Sequence, residues 1–136
     1  MSNLGAYKKQ ELCGAWTRIE MLLQIYDRAL ISVQSCGAAL AKGDAMGYSK
    51  HYINAQKAIL AIHSGLEPEK NEVAFNVARL LHFVTVSIEK QQFDVATKVL
   101  NQLRDGFAAV ADEATELERE GKIPAMSNAM SYESTA

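Results

Sequence analysis

The stretch Thr17–Lys42, TRIEMLLQIYDRALISVQSCGAALAK, decides the fold. Its first four residues, Thr17-Arg18-Ile19-Glu20, read as a capping box: the Thr hydroxyl accepts from the third helical amide, while the Glu carboxylate reaches back to the cap. Apolar residues then recur at Ile19, Leu23, Tyr26, Leu30, Val33, Gly37 and Leu40. Steps of four and three place them on one helical face. Lys42 and Gly43 supply an ending: a cation beside the free carbonyls, then a residue tolerant of positive φ. The pattern predicts an amphipathic helix over 17–42.

Outward from this helix the same grammar repeats. Asp44 caps a second helix over 44–64, with Tyr48, Tyr52, Ala55, Ile59 and Ile62 facing inward and Leu66 just past its frayed end. Gly65–Lys70, with Pro68, reads as a loop. Asn71 caps a third helix over 71–91, whose inner face is Val73, Val77, Leu80, Leu81, Val84 and Ile88. A fourth helix over 94–118 is the most regular, with Phe93, Ala96, Leu100, Leu103, Phe107, Val110, Ala114 and Leu117 at heptad spacing. That spacing suits a left-handed bundle with crossings near +20°. It also suits an intermolecular coiled coil, although one helix alone carries it so regularly. At ~1.5 Å per residue the four helices span ~30–39 Å, compatible lengths for side-by-side packing. The expected fold is all-α: an antiparallel up-down-up-down four-helix bundle over 17–118. A short N-terminal arm or helix, 1–16, precedes it, with Leu4, Tyr7, Leu12 and Trp16 as apolar points. A flexible, mobile C-terminal tail, 119–136, follows, rich in Ser, Ala and Met. No internal repeat is present.

Composition agrees with one helical domain. The chain has 136 residues, 49% of them hydrophobic, and only 2 prolines. A disordered chain is poorer in apolar residues and richer in charge; a β-sandwich needs more turn punctuation and more β-branched residues. A chain of this size buries roughly two-thirds of its unfolded surface, enough to fold without a metal or disulfide staple. Its 14 Lys and Arg against 16 Asp and Glu leave a net charge of −2, so there is no electrostatic footprint for nucleic acid. The two cysteines, Cys13 and Cys36, have no CxxC spacing and read as reduced and packed. Met1–Gln10 lacks the apolar run of a signal peptide, and nothing reaches the ~18–20 apolar residues of a membrane span. The expectation is a soluble cytoplasmic protein with no membrane insertion.

Catalytic and metal motifs are absent. A di-iron bundle needs Glu-x-x-His on each of two helices, and neither occurs. There is no HExxH, no CxxCH and no glycine-rich phosphate loop. His51, His63 and His82 therefore read as ordinary surface or boundary residues. A histidine phosphotransfer module, also a four-helix bundle, presents an exposed His with a nearby Lys and Gly on the same helix. The nearest Lys after His51 is Lys57, His63 sits at a helix end, and His82 has apolar neighbours, so none matches well. The reading is of no catalytic residue, no metal ligand and no cofactor.

The apolar residues left over are more informative. Projected at about 100° per residue, the core stripe of the third helix leaves Phe75 and Val86 roughly 180° away and Phe83 at the boundary. On the second helix, Met46, Ile53 and Leu60 make another line at seven-residue spacing, about 120–160° from its core stripe. Each alone is compatible with a wide bundle face or with contacts to the arm or tail. Two adjacent helices with a second apolar line point to a partner site. A groove between helices suits another amphipathic helix, and a soft Met46 suits such a surface.

The block Thr17-Arg18-Ile19-Glu20-Met21-Leu22-Leu23-Gln24-Ile25-Tyr26-Asp27-Arg28-Ala29-Leu30 resembles the signature of the flagellar secretion chaperones, the FliS family. That signature reads T-x-x-E, a short apolar-rich run, then Y-D-x-A-[IL]. Ala6-Tyr7 is similar to an Ala-Tyr in that family's N-terminal arm. Asn76 and Leu80 are similar to its N-L-x-x-L-Y stretch, and Leu103-Arg104-Asp105-Gly106-Phe107 to its L-R-E-A-W. The order holds from about Tyr7 to Phe107. Arg18 replaces a frequent Pro, Leu81 a usual Tyr and Phe107 a usual Trp, and Gly106 costs a helix about 1 kcal/mol against Ala.

The resemblance implies a bundle without enzymatic activity. It implies a chaperone that binds the disordered C-terminal segment of flagellin in the cytoplasm, blocks premature polymerisation, and aids delivery to a gate component of the flagellar type III export apparatus. Tyr7 then belongs to a displaceable arm. Met46, Ile53, Leu60, Phe75, Phe83 and Val86 form the client surface, while Tyr26 and Asp27 are scaffold, with Asp27 anchoring an interhelical hydrogen bond or capping a neighbouring helix. Two other readings stand beside it: a bundle adaptor for another amphipathic-helix client, and the phosphotransfer module. The oligomeric state is left between monomer and weak dimer.

Overall fold

The computed structural model describes residues 17–123. Among the described residues the chain is all-helical and has no strand. Five helices follow one another: α1 Arg18–Lys42, α2 Ala45–Ser64, α3 Glu72–Glu89, α4 Phe93–Ala109 and α5 Ala111–Arg119. Tyr7 and the rest of the 1–16 arm, with Cys13, lie outside the described residues, as does the tail from Pro124 onward.

The helix ends follow the local chemistry. At the start of α1 the capping box forms, with the Thr17 N–H donating to Glu20 Oε1 at 2.9 Å. The Asp44 carboxylate accepts from the Gly47 N–H at 3.0 Å, and the Asn71 side chain accepts from the N–H groups of Val73 and Ala74. At the end of α1, Gly43 takes φ 73°; its N–H reaches Leu40 O while Asp44 N–H reaches Ala39 O, which satisfies two carbonyls that the helix leaves free. The same pair of bonds closes α3, with Gln91 N–H to Ile88 O and Gln92 N–H to Ser87 O. There Gln91, not a glycine, sits at φ 62°.

The core gathers around α1, which packs most extensively on α2 and then on α4, while α3 packs on α4. Tyr26, Ala29 and Val33 of α1 meet Ala55 and Ile59 of α2, Leu81, Val84 and Ile88 of α3, and Ala96 and Leu100 of α4 in one fully buried cluster. Each Val, Leu or Ile so placed contributes about 1.5–3 kcal/mol relative to exposure. Cys36 is buried as expected, and burial pushes its thiol above the ordinary range.

Two expectations are corrected. The fourth helix is not continuous over 94–118. It ends at Ala109, Val110 stands at φ −111° and ψ 9°, and α5 starts afresh at Ala111. The Val110 N–H bonds back only three residues, to Phe107 O. What makes the bend favourable is polar. From α5, Thr115 Oγ1 lies 3.2 Å from Thr17 Oγ1, and Glu118 accepts from the Arg18 N–H at 2.9 Å, an anion on the positive end of α1. Second, four residues assigned to core stripes are exposed: Leu40, Val73, Leu80 and Val110. Leu40 and Val73 lie near helix ends, where fewer neighbours cover a side chain, and Val110 is the hinge itself.

Candidate functional site

The α2 line survives folding intact. Met46, Ile53 and Leu60 are 86%, 55% and 67% exposed, whereas Ala55, Ala58, Ile59 and Ile62 on the opposite face are buried. Seven-residue spacing repeats every ~10.5 Å along a helix, so the three residues mark a strip about 21 Å long. Lys50 and Lys57, both exposed, run beside it. On α3, Phe75 and Phe83 are also exposed, while Val86 is half-buried and offers less surface than the projection suggested. Leu80, expected inside, adds to the exposed apolar surface of α3. The strips ride on consecutive helices, but α2 and α3 touch far more lightly than α1 and α2 or α3 and α4.

The residues of the Thr17–Leu30 block and of Leu103–Phe107 meet each other, not the strips. Tyr26 is fully buried and its ring stacks on Phe107 with centroids 5.9 Å apart. One residue along, the Arg104 guanidinium donates through Nε to Asp27 Oδ1 at 2.6 Å and through Nη2 to Oδ2 at 3.5 Å. The hydrogen bond to Asp27 holds the Arg104 guanidinium above its ordinary pKa. The interhelical bond expected of Asp27 is thus present, and its partner is Arg104. Sequence reasoning noted the Leu103–Phe107 motif but gave Arg104 no role. Adjacent Tyr-Asp on one helix opposite Arg-x-x-Phe on another is the available signal, since residues three apart share a helical face.

His51 and His63 are half-buried and His82 is exposed. Burial, and then the charge of His82, push His63 below its ordinary value. Among the described residues no cluster of three or more His, Cys, Asp or Glu is placed to hold a metal ion. Among them, too, no helix is long and apolar enough to cross a membrane. An open groove of about 1000 Å³ runs along α1 and α4 past Gln34, Gln92 and Asn101; its walls carry amides and both charges. No family model matches the chain, and no characterised protein or solved structure matches it.

Proposed function

We propose that the protein is a non-catalytic export chaperone. It binds the disordered C-terminal segment of flagellin in the cytoplasm, prevents premature polymerisation and helps deliver the client to a gate component of the flagellar type III export apparatus. The observation that carries the reading is the exposed strip Met46–Ile53–Leu60 on α2, with Phe75 and Phe83 exposed on the next helix. A disordered client loses entropy on ordering, and a long apolar track offsets that cost. A strip of about 21 Å matches some fourteen residues of client helix, which present anchors at i, i+3, i+4 and i+7. Lys50 and Lys57 favour a client helix with acidic residues along its flank. The Thr17–Leu30 resemblance supplies the identity of the client. In this reading the helices run up-down-up-down as an antiparallel four-helix bundle with α5 as a bent extension of the fourth.

Titration with a flagellin C-terminal peptide, followed by calorimetry and far-ultraviolet circular dichroism, tests the proposal. The expected result is saturable binding with a gain of helix. Ile53→Asp and Phe75→Asp abolish it while stability shifts by only about 0.5 kcal/mol, as for exposed positions. No saturable binding and no gain of helix sinks the flagellin reading. A large loss of stability in either variant shows that these positions are core.

A further inference from the structure

The exposed apolar residues of α2 and α3 are interleaved with cations. On α2, Met46, Lys50, Ile53, Lys57 and Leu60 follow one another in steps of four and three, and all five are exposed. That is the spacing of a seam that takes a second helix along its length, here with apolar and basic residues at alternate positions. On α3, Phe75, Arg79, His82 and Val86 repeat the steps; the first three are exposed and Val86 is half-buried. Such steps keep the four on one helical face, and Val77, Leu81, Val84 and Ile88 are buried on the opposite one.

The acidic residues are placed elsewhere. The chain carries 16 Asp and Glu against 14 Lys and Arg, yet none of the 16 falls in α2 or between Val73 and Ile88 on α3. Among the described residues, Lys50, Lys57 and Arg79 have no carboxylate within ion-pair distance. The chain is negative overall, but these two faces are positive. A second copy is a poor match for them. A two-fold pairing lays one patch on itself, which sets Lys50 and Lys57 among their own counterparts with no carboxylate between them, and like charges brought together across an interface are costly.

We propose that these faces select an acidic amphipathic helix, in which Asp or Glu alternates with apolar anchors and meets Lys50 and Lys57 on α2. This selection rests on the reading of α2 and α3 as the client surface and adds to it the charge of the partner helix. Met46, Ile53 and Leu60 supply the apolar contact. Lys50 and Lys57 set specificity, because complementary charge steers encounter and rejects partners of the wrong sign.

Three amphipathic peptides of about three heptads test it against the full chain, alike in their leucines and carrying Glu, Gln or Lys at the alternate seam positions. Fluorescence anisotropy of the labelled peptides at low and high salt reads the binding. The expected order is Glu, then Gln, then Lys, with about tenfold between the first two at low salt and a smaller gap at high salt. Lys50→Glu combined with Lys57→Glu reverses the order with an unchanged thermal melt, while Ile53→Asp weakens all three peptides. If the charge reversal does not fold, Lys50→Gln combined with Lys57→Gln carries the test by closing the gap between the Glu and Gln peptides. Equal affinities, an order that the lysine variants leave in place, or no saturable binding of any peptide overturns the proposal. A dimer of the chain that Ile53→Asp abolishes overturns it in favour of a second copy. Flagellin binding alongside equal affinities for the three peptides sinks the charge selection alone. A reversed order alongside no flagellin binding sinks the flagellin reading alone.

Discussion

Tyr26→Phe should make the protein more stable. Tyr26 is fully buried, and among the described residues no group pairs with its hydroxyl oxygen. Burial also pushes its phenol well above the ordinary value, so the group stays neutral throughout the physiological range. An unpaired buried polar group costs about 1–3 kcal/mol of desolvation. Removing the oxygen relieves that cost and leaves the ring on Phe107, whose stacking is worth about 0.5–1.5 kcal/mol. The small void left behind takes back part of the gain, for a net stabilisation of about 1 kcal/mol. With roughly 2.1 cal/mol/K of unfolding entropy per residue, a folded unit of this size shifts its Tm by about 4 °C per kcal/mol. Paired thermal and urea melts measure it, with an unchanged urea slope as the check that both states keep their compactness. Tyr26→Ala serves as the contrast, losing about 3–5 kcal/mol through the cavity. A Tyr26→Phe variant destabilised by about 1 kcal/mol refutes the reasoning, because the hydroxyl then has a partner. Unchanged stability with lost flagellin binding refutes it differently, by making Tyr26 a site and not scaffold.

Three further outcomes follow from the same geometry. Gln91→Gly relieves a left-handed φ of 62° and should raise stability by about 0.5–1 kcal/mol, read as a higher urea midpoint; a lower midpoint means the Gln side chain contributes more than its backbone costs. Asp27→Asn removes the charge from a pair whose Arg104 and Asp27 side chains are 32% and 38% exposed, so the loss is screened to about 1 kcal/mol, and a double-mutant cycle with Arg104→Gln isolates it. His63 is held below its ordinary 6.5 in the folded state, so below that pH the unfolded chain binds more protons than the folded one. Its contribution is complete above pH 6.5 and is lost as pH falls toward the folded value; the slope of stability against pH is smaller in His82→Gln and vanishes for this group in His63→Gln.

Local signals were legible in the sequence where one residue decides one bond. Thr17, Asp44 and Asn71 mark helix starts because a short oxygen-bearing side chain satisfies free N–H groups, and Gly43 marks an end because it accepts a left-handed φ. The outer positions Met46, Ile53 and Leu60 were legible because a helix with one buried face fixes what lies opposite it. The break at Val110 was not. The heptad continues through it to Leu117, and the contacts that favour the bend join Thr115 and Glu118 to residues about a hundred positions away. Arg104 was missed for the same reason, since its pairing with Asp27 spans 77 positions. The covering of Val73, in the first turn of α3, and of Leu80, at its middle, depends on which neighbours reach them, a tertiary property that periodicity does not encode.

The bend and the uncovered valines have one cause in helix length. α3 has 18 residues, about 27 Å, while α4 and α5 together would run about 40 Å if straight. The turn at Lys90–Gln92 joins α3 to α4, which packs on it, and Val73 and Val110 stand almost equally far from that turn along the chain. A straight fourth helix would outrun α3 by more than two turns. Turning at Val110 carries those turns to the start of α1, where Thr17 and the Arg18 N–H need partners. Val73 and Val110 are both exposed. The apolar surplus of the sequence therefore has two physical origins. On α2 the strip lies diametrically opposite a buried face, an arrangement that packing within the chain does not require. At the open end of α3 and α4 it is the consequence of a short helix beside a long one. The first is the better candidate for a surface kept for a partner, and for that reason the decisive substitution for client binding is Ile53→Asp on α2 and not a change at Val73 or Val110.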